Sequence, residues 1–380
     1  MKKNYFLVLF AMACLAGKSN AQQMQPCYTD EVRQKMVAAH PEILQIEAQL
    51  EKEIQEKLTK IDYSKAARTT DSVGDMSDSV NFWYDIPIVV HIIHDFGVEN
   101  LSDDSIISAF NNWNIVYAKE NWDTNSVIAP YAGFIQNSHV RYIGNPHIRL
   151  HFATIDPNGN PTKGITRHRS YLTYVGSDQA KLDDWPPTSY VNIWSVNLIP
   201  ASGGFQAAAY AYQPPTAAAD PNGDGIICDY SYMPNSPYND GQVGKTINHE
   251  MGHVFYLYHP WGTTNFPQVA LGTDEVDDTP PTWGHNPEGC DFADPSSNDN
   301  SIYDSMWAVN YYVTYPSSTG GDSLVNYPDT TNTQNIMDYT YCSRMFTNGQ
   351  VARMHAALNS SVAGRNNLWN PYNLTATGAL

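Results

Sequence analysis

The segment His249-Glu250-Met251-Gly252-His253-Val254-Phe255-Tyr256-Leu257-Tyr258-His259 carries three histidines and one acid at fixed spacing. On a helix, His249 and His253 stand one turn apart on one face, where two neutral imidazoles can grip a single metal ion. Glu250 then lies beside the ion without ligating it, placed to take a proton from an activated water. On a continued helix His259 would sit about 9 Å beyond His253 along the axis, at roughly 1.5 Å per residue. It would also point about 240° around from it. His259 joins the site only where the helix stops and the chain doubles back. Pro260 favours this, because a residue before proline is kept out of the helical region. Three imidazoles and a water make the open coordination of a catalytic zinc, whereas a structural zinc is closed by four protein ligands. The bland alternative is a buried helix whose histidines bond to nearby carbonyls.

Other elements have to position this segment. Residues 28–61 read as helical, with Ile43, Ile46, Leu50, Ile54, Leu58 and Ile61 forming an apolar stripe and Pro41 starting a second helix. Residues 62–82 are polar and read as a linker, with Lys65 and Arg68 open to proteolysis. The run Ile86–Ile93 reads as a buried strand. Ser102 caps a helix with Ile106, Phe110, Trp113 and Tyr117 on one face. Strands are expected at 148–153, 190–198, 207–212 and 226–230. The loop Asp220–Gly225 resembles the start of a calcium loop, but Ser231 stands where a chelating Glu belongs, so it reads as a polar turn. Residues 260–375, rich in Pro, Gly, Asn and Asp, are expected to be mostly irregular. One helix is expected there, started by the capping box Thr347-Asn348-Gly349-Gln350. The fold class is therefore α+β, a mixed twisted sheet with helices packed on it, the metal-binding helix among them.

The 380 residues suffice for one large domain and a smaller element. A formal charge of −18 speaks against nucleic-acid partners. Lys2-Lys3, the apolar run Phe6–Ala16 and Ser19-Asn20-Ala21 read as a signal peptide over residues 1–21, so the mature protein is expected to be exported, extracellular or periplasmic, without a membrane anchor. Cys27, Cys228, Cys290 and Cys342 then remain, and four cysteines allow three full pairings.

The chain resembles the pappalysin family of metzincin metallopeptidases, including its secreted bacterial members. The resemblance rests on the metal segment with the preceding Gly244-Lys245-Thr246-Ile247, on Asp274-Glu275-Val276-Asp277-Asp278-Thr279-Pro280, and on Asn335-Ile336-Met337-Asp338-Tyr339 followed by Cys342 and Phe346–Gln350. It covers residues 83–376, which it marks as a catalytic domain behind a pro-segment and linker at 22–82. It implies zinc held by His249, His253 and His259, with Glu250 as general base. Met337 would lie in a turn beneath the metal, and Tyr339 would stabilise the reaction intermediate. It also implies a Cys290–Cys342 disulfide and a calcium ion near Asp274, Asp277 and Asp278. Cys27, in Pro26-Cys27-Tyr28-Thr29, would occupy the fourth metal position and hold the precursor latent; a Cys27–Cys228 disulfide is the alternative. The sequence departs from the family at Tyr256, where Gly is usual and a left-handed backbone is needed.

The function expected is a secreted zinc endopeptidase acting on proteins or peptides, with substrate added along the Ala207–Tyr212 edge. Two rivals are a zinc peptidase whose third ligand is Glu288, and an exported binding or adhesion protein with an inert zinc site.

Overall fold

The computed structural model describes residues 24–58, 82–127, 143–234, 245–262, 273–279, 334–339 and 343–380, with short strand segments at 135–136, 139–140, 308–315 and 323–330. The elements are β1 (Met24–Gln25), α1 (Thr29–Ala39), α2 (Ile43–Leu58), β2 (Tyr84–His94), α3 (Asp103–Tyr117), β3 (Ile148–Phe152), β4 (Ile165–Arg169), β5 (Val191–Val196), β6 (Gln206–Ala207), β7 (Ala209–Ala211), α4 (Pro214–Ala219), β8 (Ile226–Asp229) and α5 (Thr246–Val254). They continue with β9 (Ala308–Tyr315), β10 (Ser323–Thr330), β11 (Phe346–Thr347), α6 (Asn348–Leu358), α7 (Arg365–Leu368) and α8 (Pro371–Thr377).

β2 is buried along its whole length, as its unbroken apolar run requires of a strand covered on both faces. It pairs with β3 through its first half, β4 through its second and β5 on the other side, all parallel. β8 joins β5 in parallel and β7 closes that edge antiparallel, giving the order β7-β8-β5-β2-β3. One face of the sheet packs Ile88, Val90, Ile92, Ile193 and Ile226 against α3 and α5. Ser102 caps α3 as expected, accepting from Ser105 N. The two helices are clamped where Tyr117 Oη donates to Asn248 O (2.9 Å) and Asn248 Nδ2 donates to Trp113 O (3.0 Å). The opposite face packs Ile93, Trp194 and Val196 with Tyr28 and Val32 from the start of the chain.

The capping box opens α6 as expected. The expectation that residues beyond 260 are mostly irregular with one helix is corrected: α7, α8 and the β9–β10 hairpin lie there too. α7 and α8 span only 4 and 7 residues, too short for an apolar period to show. The predicted strand 207–212 is split into β6 and β7, and β4 and α4 were not anticipated. The loop Asp220–Gly225 is a turn, and its Asp224 is taken up by Arg365 at 2.6 and 2.7 Å.

Arg365 also donates Nε to Val254 O (3.1 Å), the last residue of α5. The helix stops there in a Schellman motif. Tyr256 N donates to His253 O and Leu257 N to Gly252 O, both 2.9 Å. Tyr256 sits at the left-handed position with φ 68°. That backbone costs a tyrosine roughly 1–2 kcal/mol. The fully buried ring offsets it by packing on Leu50, Ile54 and Leu58 of α2 and on Ala352 and Ala356 of α6. Arg353 stacks over the Tyr256 ring at 4.8 Å, donates to Tyr256 O and pairs with Glu51 of α2.

Two outcomes follow for stability, both read by chemical denaturation. Arg365→Met strands a buried Asp224 carboxylate and should cost about 3–5 kcal/mol, whereas combining it with an apolar replacement of Asp224 should recover much of the loss. Tyr256→Gly relieves the backbone but forfeits an aromatic worth about 3–5 kcal/mol, so the full chain should lose about 1–4 kcal/mol net.

Candidate metal centre

α5 carries His249 and His253 on one side, and the Schellman turn sends the chain back so that His259 faces them. The three Nε2 atoms lie 3.2 Å from one another. Each ring's other nitrogen already has an acceptor. His249 Nδ1 donates to Ile336 O (2.8 Å), His253 Nδ1 to Leu257 O (2.9 Å) and His259 Nδ1 to Asp30 Oδ2 (2.9 Å). The protons therefore sit on Nδ1, and three Nε2 lone pairs point at one spot. Burial pushes His249 down to about 3 and His253 well below its ordinary value, so both rings are neutral at physiological pH. Three convergent imidazole lone pairs repel one another unless a cation lies between them, and this donor set fits zinc.

The turn that contains Met337, which the family resemblance put beneath the metal, packs under α5. Met337 is fully buried, and a Cβ on Gly252 would lie 2.4 Å from its Sδ, so the glycine leaves the room that Met337 fills under α5. Asn335 braces this turn by accepting from Met337 N and donating to Gln350 of α6. The Tyr339 ring lies 4.8 Å from that of His259 and 5.8 Å from that of His249. Burial raises its phenol well above the ordinary value, which keeps it a proton donor. Trp261 stacks on His259 at 5.0 Å, a contact with no signal in the sequence.

Glu250 is fully buried, and burial pushes its carboxyl up to about 8. Thr29 Oγ1 donates to its Oε2 (3.0 Å), while Oε1 has no hydrogen-bond partner among the described residues. Cys27 Sγ is 3.5 Å from His253 Nε2, and the thiol and the three imidazoles offer ligand atoms all within 4.8 Å of one another. Cys27 and Cys228 are both free thiols, and Cys228 instead donates to Asp229 O, so the alternative of a Cys27–Cys228 disulfide is overturned. Cys290, Cys342 and Glu288 lie outside the described residues, as do the expected signal peptide and most of the linker.

The chain entering the site runs along the sheet edge. β1 pairs in parallel with β6, Ala208 N donates to Gln25 O (2.8 Å), Tyr28 N donates to Ala209 O (2.9 Å), and Thr29 Oγ1 accepts from Ala211 N (2.9 Å). The edge expected to take a substrate is thus lined by residues 24–29. Sequence reasoning missed Thr29 and Asp30. An acid in the first turn of a helix reads as a partner of the helix dipole, which hides any second use. Among the acidic residues after α5, Asp274 and Asp278 point inward, accepting from Gln350 Nε2 and Gly349 N, while Asp277 is exposed.

Residues 175–359 match the family model described as pregnancy-associated plasma protein-A, Peptidase_M43. The chain is 31% identical over 159 residues to an extracellular metalloprotease of Sordaria macrospora, covering 40% of this chain and 44% of that one. It is 29% identical over 177 residues to one of Neurospora crassa, covering 45% and 47%. It thus spans less than half the length of these relatives. Among solved structures, mature mirolysin of Tannerella forsythia in complex with a cleaved peptide is 26% identical with a TM-score of 0.58, over 78% of this chain and 98% of that one. A mutant promirolysin from the same organism shares the fold at 23% identity and a TM-score of 0.61, over 93% of this chain and 99% of that one. Over residues 175–359 the chain is thus similar to the pappalysin family of metallopeptidases, and the fold around that region is shared with mirolysin.

Proposed function

We propose that this protein is an exported zinc endopeptidase made as a latent precursor, with a signal peptide at 1–21, a pro-segment and linker at 22–82, and a catalytic domain at 83–376. The observation that carries the reading is the convergence of three Nε2 lone pairs, each fixed by a bond on its Nδ1. His249, His253 and His259 are the proposed zinc ligands. A zinc ion held there supplies Lewis acidity toward water and toward the scissile carbonyl.

The remaining work falls to side chains. Glu250 takes the proton of the attacking water on its carboxylate and delivers it to the departing amine. Freed of Thr29, both of its oxygens face that task. The Tyr339 hydroxyl donates to the oxygen on which negative charge develops. Peptide binds as an added strand on the edge formed by β6 and β7, once residues 24–29 have left it. Export is supported by the charged and apolar start of the chain and by relatives named as extracellular metalloproteases.

Latency follows from the same contacts. Cys27 stands at the open position of the centre, Thr29 ties up Glu250, and residues 24–28 cover the substrate edge. Burial and Glu250 push the Cys27 thiol up, and a zinc ion held by the three imidazoles would favour its thiolate instead. A calcium ion at the 274–278 turn is a separate proposal. Its support is the buried Asp274 carboxylate, whose Oδ1 has no hydrogen-bond partner among the described residues.

Glu250→Gln should lower peptide hydrolysis by roughly 10²- to 10⁴-fold with one zinc per chain retained, read by peptide cleavage and metal analysis. Full activity of that variant would end the assignment. Cys27→Ser should raise the activity of the uncleaved precursor only in part, because Thr29 and residues 24–28 still cover the site; in a Thr29→Ala background, activity unchanged by adding Cys27→Ser would refute the thiol's role.

A further inference from the structure

The third imidazole differs from the other two in what holds it. His249 and His253 donate to backbone carbonyls of residues 336 and 257, which stay with the folded unit. His259 donates to a carboxylate, and that carboxylate, Asp30, lies in the first turn of α1 within the segment proposed to be cut away. The contact is 2.9 Å long, with side-chain exposures of 0% for His259 and 4% for Asp30. A carboxylate on the far nitrogen fixes a ligating imidazole's tautomer and orientation and strengthens the lone pair on the near nitrogen.

We infer that Asp30 is a positioning residue that tightens metal binding in the unprocessed chain, so that excision of the N-terminal segment yields an enzyme that holds its metal more weakly. The inference rests on the three-imidazole site proposed above. The placement of Asp30 is not casual. Its helix is fixed by Tyr28 and Val32 in the core under the sheet, and by Arg33 paired with Glu47 of α2 at 2.5 Å. On its other side, Thr29 is bonded to both Glu250 and Ala211. Trp261 stacks on His259 and fixes the plane of the ring, but only an acceptor at Nδ1 fixes its tautomer. On excision the Trp261 contact stays and the carboxylate goes. The segment therefore acts on the centre twice: it blocks the centre with Cys27 and strengthens it with Asp30.

The test measures Zn²⁺ affinity by competition with a chromophoric chelator. It uses the full chain in a Glu250→Gln background, so that no self-cleavage intervenes and no activity is read. Asn at position 30 still accepts from His259 Nδ1 but carries no charge, and Ala removes both. Asp30→Asn should weaken binding, and Asp30→Ala should weaken it more, by about 10- to 100-fold. The same ratio should appear when both are repeated with Cys27→Ser, showing that the effect does not pass through the thiol. Thermal unfolding of the metal-free chains reads any purely structural role. Loss of metal-free stability with unchanged affinity overturns the inference, as does equal affinity across the series. If Asp30→Ala does not fold, the Asp30→Asn comparison decides. The reading beneath it fails separately, if the parent chain binds no Zn²⁺ or if His259→Ala binds it as well as the parent.

Discussion

Three nitrogen lone pairs aimed at each other within a dry interior are electrostatically unfavourable, and much of this fold serves to hold them there. Each ring is held from behind by a different part of the chain. Ile336 holds His249 from the turn that contains Met337, Leu257 holds His253 from the helix stop, and Asp30 holds His259 from the N-terminal segment. The large parallel sheet contributes indirectly. It gives α5 a rigid bed through Ile193, Ile226 and the clamp to α3, and Arg365 ties the end of α5 to the sheet-edge loop through Asp224. A carbonyl that orients one imidazole, Leu257 O, belongs to the same short turn that redirects the chain toward the next. Stopping the helix and building the site are therefore one event.

The N-terminal segment meets this centre along the sheet edge. β1 lies parallel to β6, and the chain then crosses the three imidazoles with a thiol, a hydroxyl and a carboxylate in close succession. These side chains divide the site among them: Cys27 faces the converging imidazoles and the Glu250 carboxyl, Thr29 the same carboxyl, and Asp30 the back of His259. The two helices behind them supply the holding area, through Leu50, Ile54 and Leu58 on α6 and the Glu51–Arg353 pair.

Much of this was legible in the residues. The spacing of His249, His253 and His259 with Pro260 demanded a helix that stops and returns, and it does. The unbroken apolar run of β2, the Ser102 cap and the Thr347–Gln350 capping box each named an element through local physics that tertiary packing did not override. What was not legible depended on distant partners. Asp30 and His259 are 229 residues apart, and no local rule connects them. Cys27 and Cys228 had the right number and chemistry for a disulfide, yet the fold gives them different neighbours, Cys228 donating to the backbone of its own strand β8. Arg353 and Arg365 are buried side chains whose acidic partners, Glu51 and Asp224, lie far away in the sequence.

Tyr256 shows how such a partner changes the meaning of a residue. Glycine adopts the left-handed backbone of such a helix stop at no steric cost; this chain instead gives the strained conformation to a ring that forms the seat of α2. The stop and the N-terminal helices have thereby become matched parts. A leading helix shaped for a flat surface at this turn would meet a protruding phenol. A change at position 256 therefore has to be answered on α2, and the reverse.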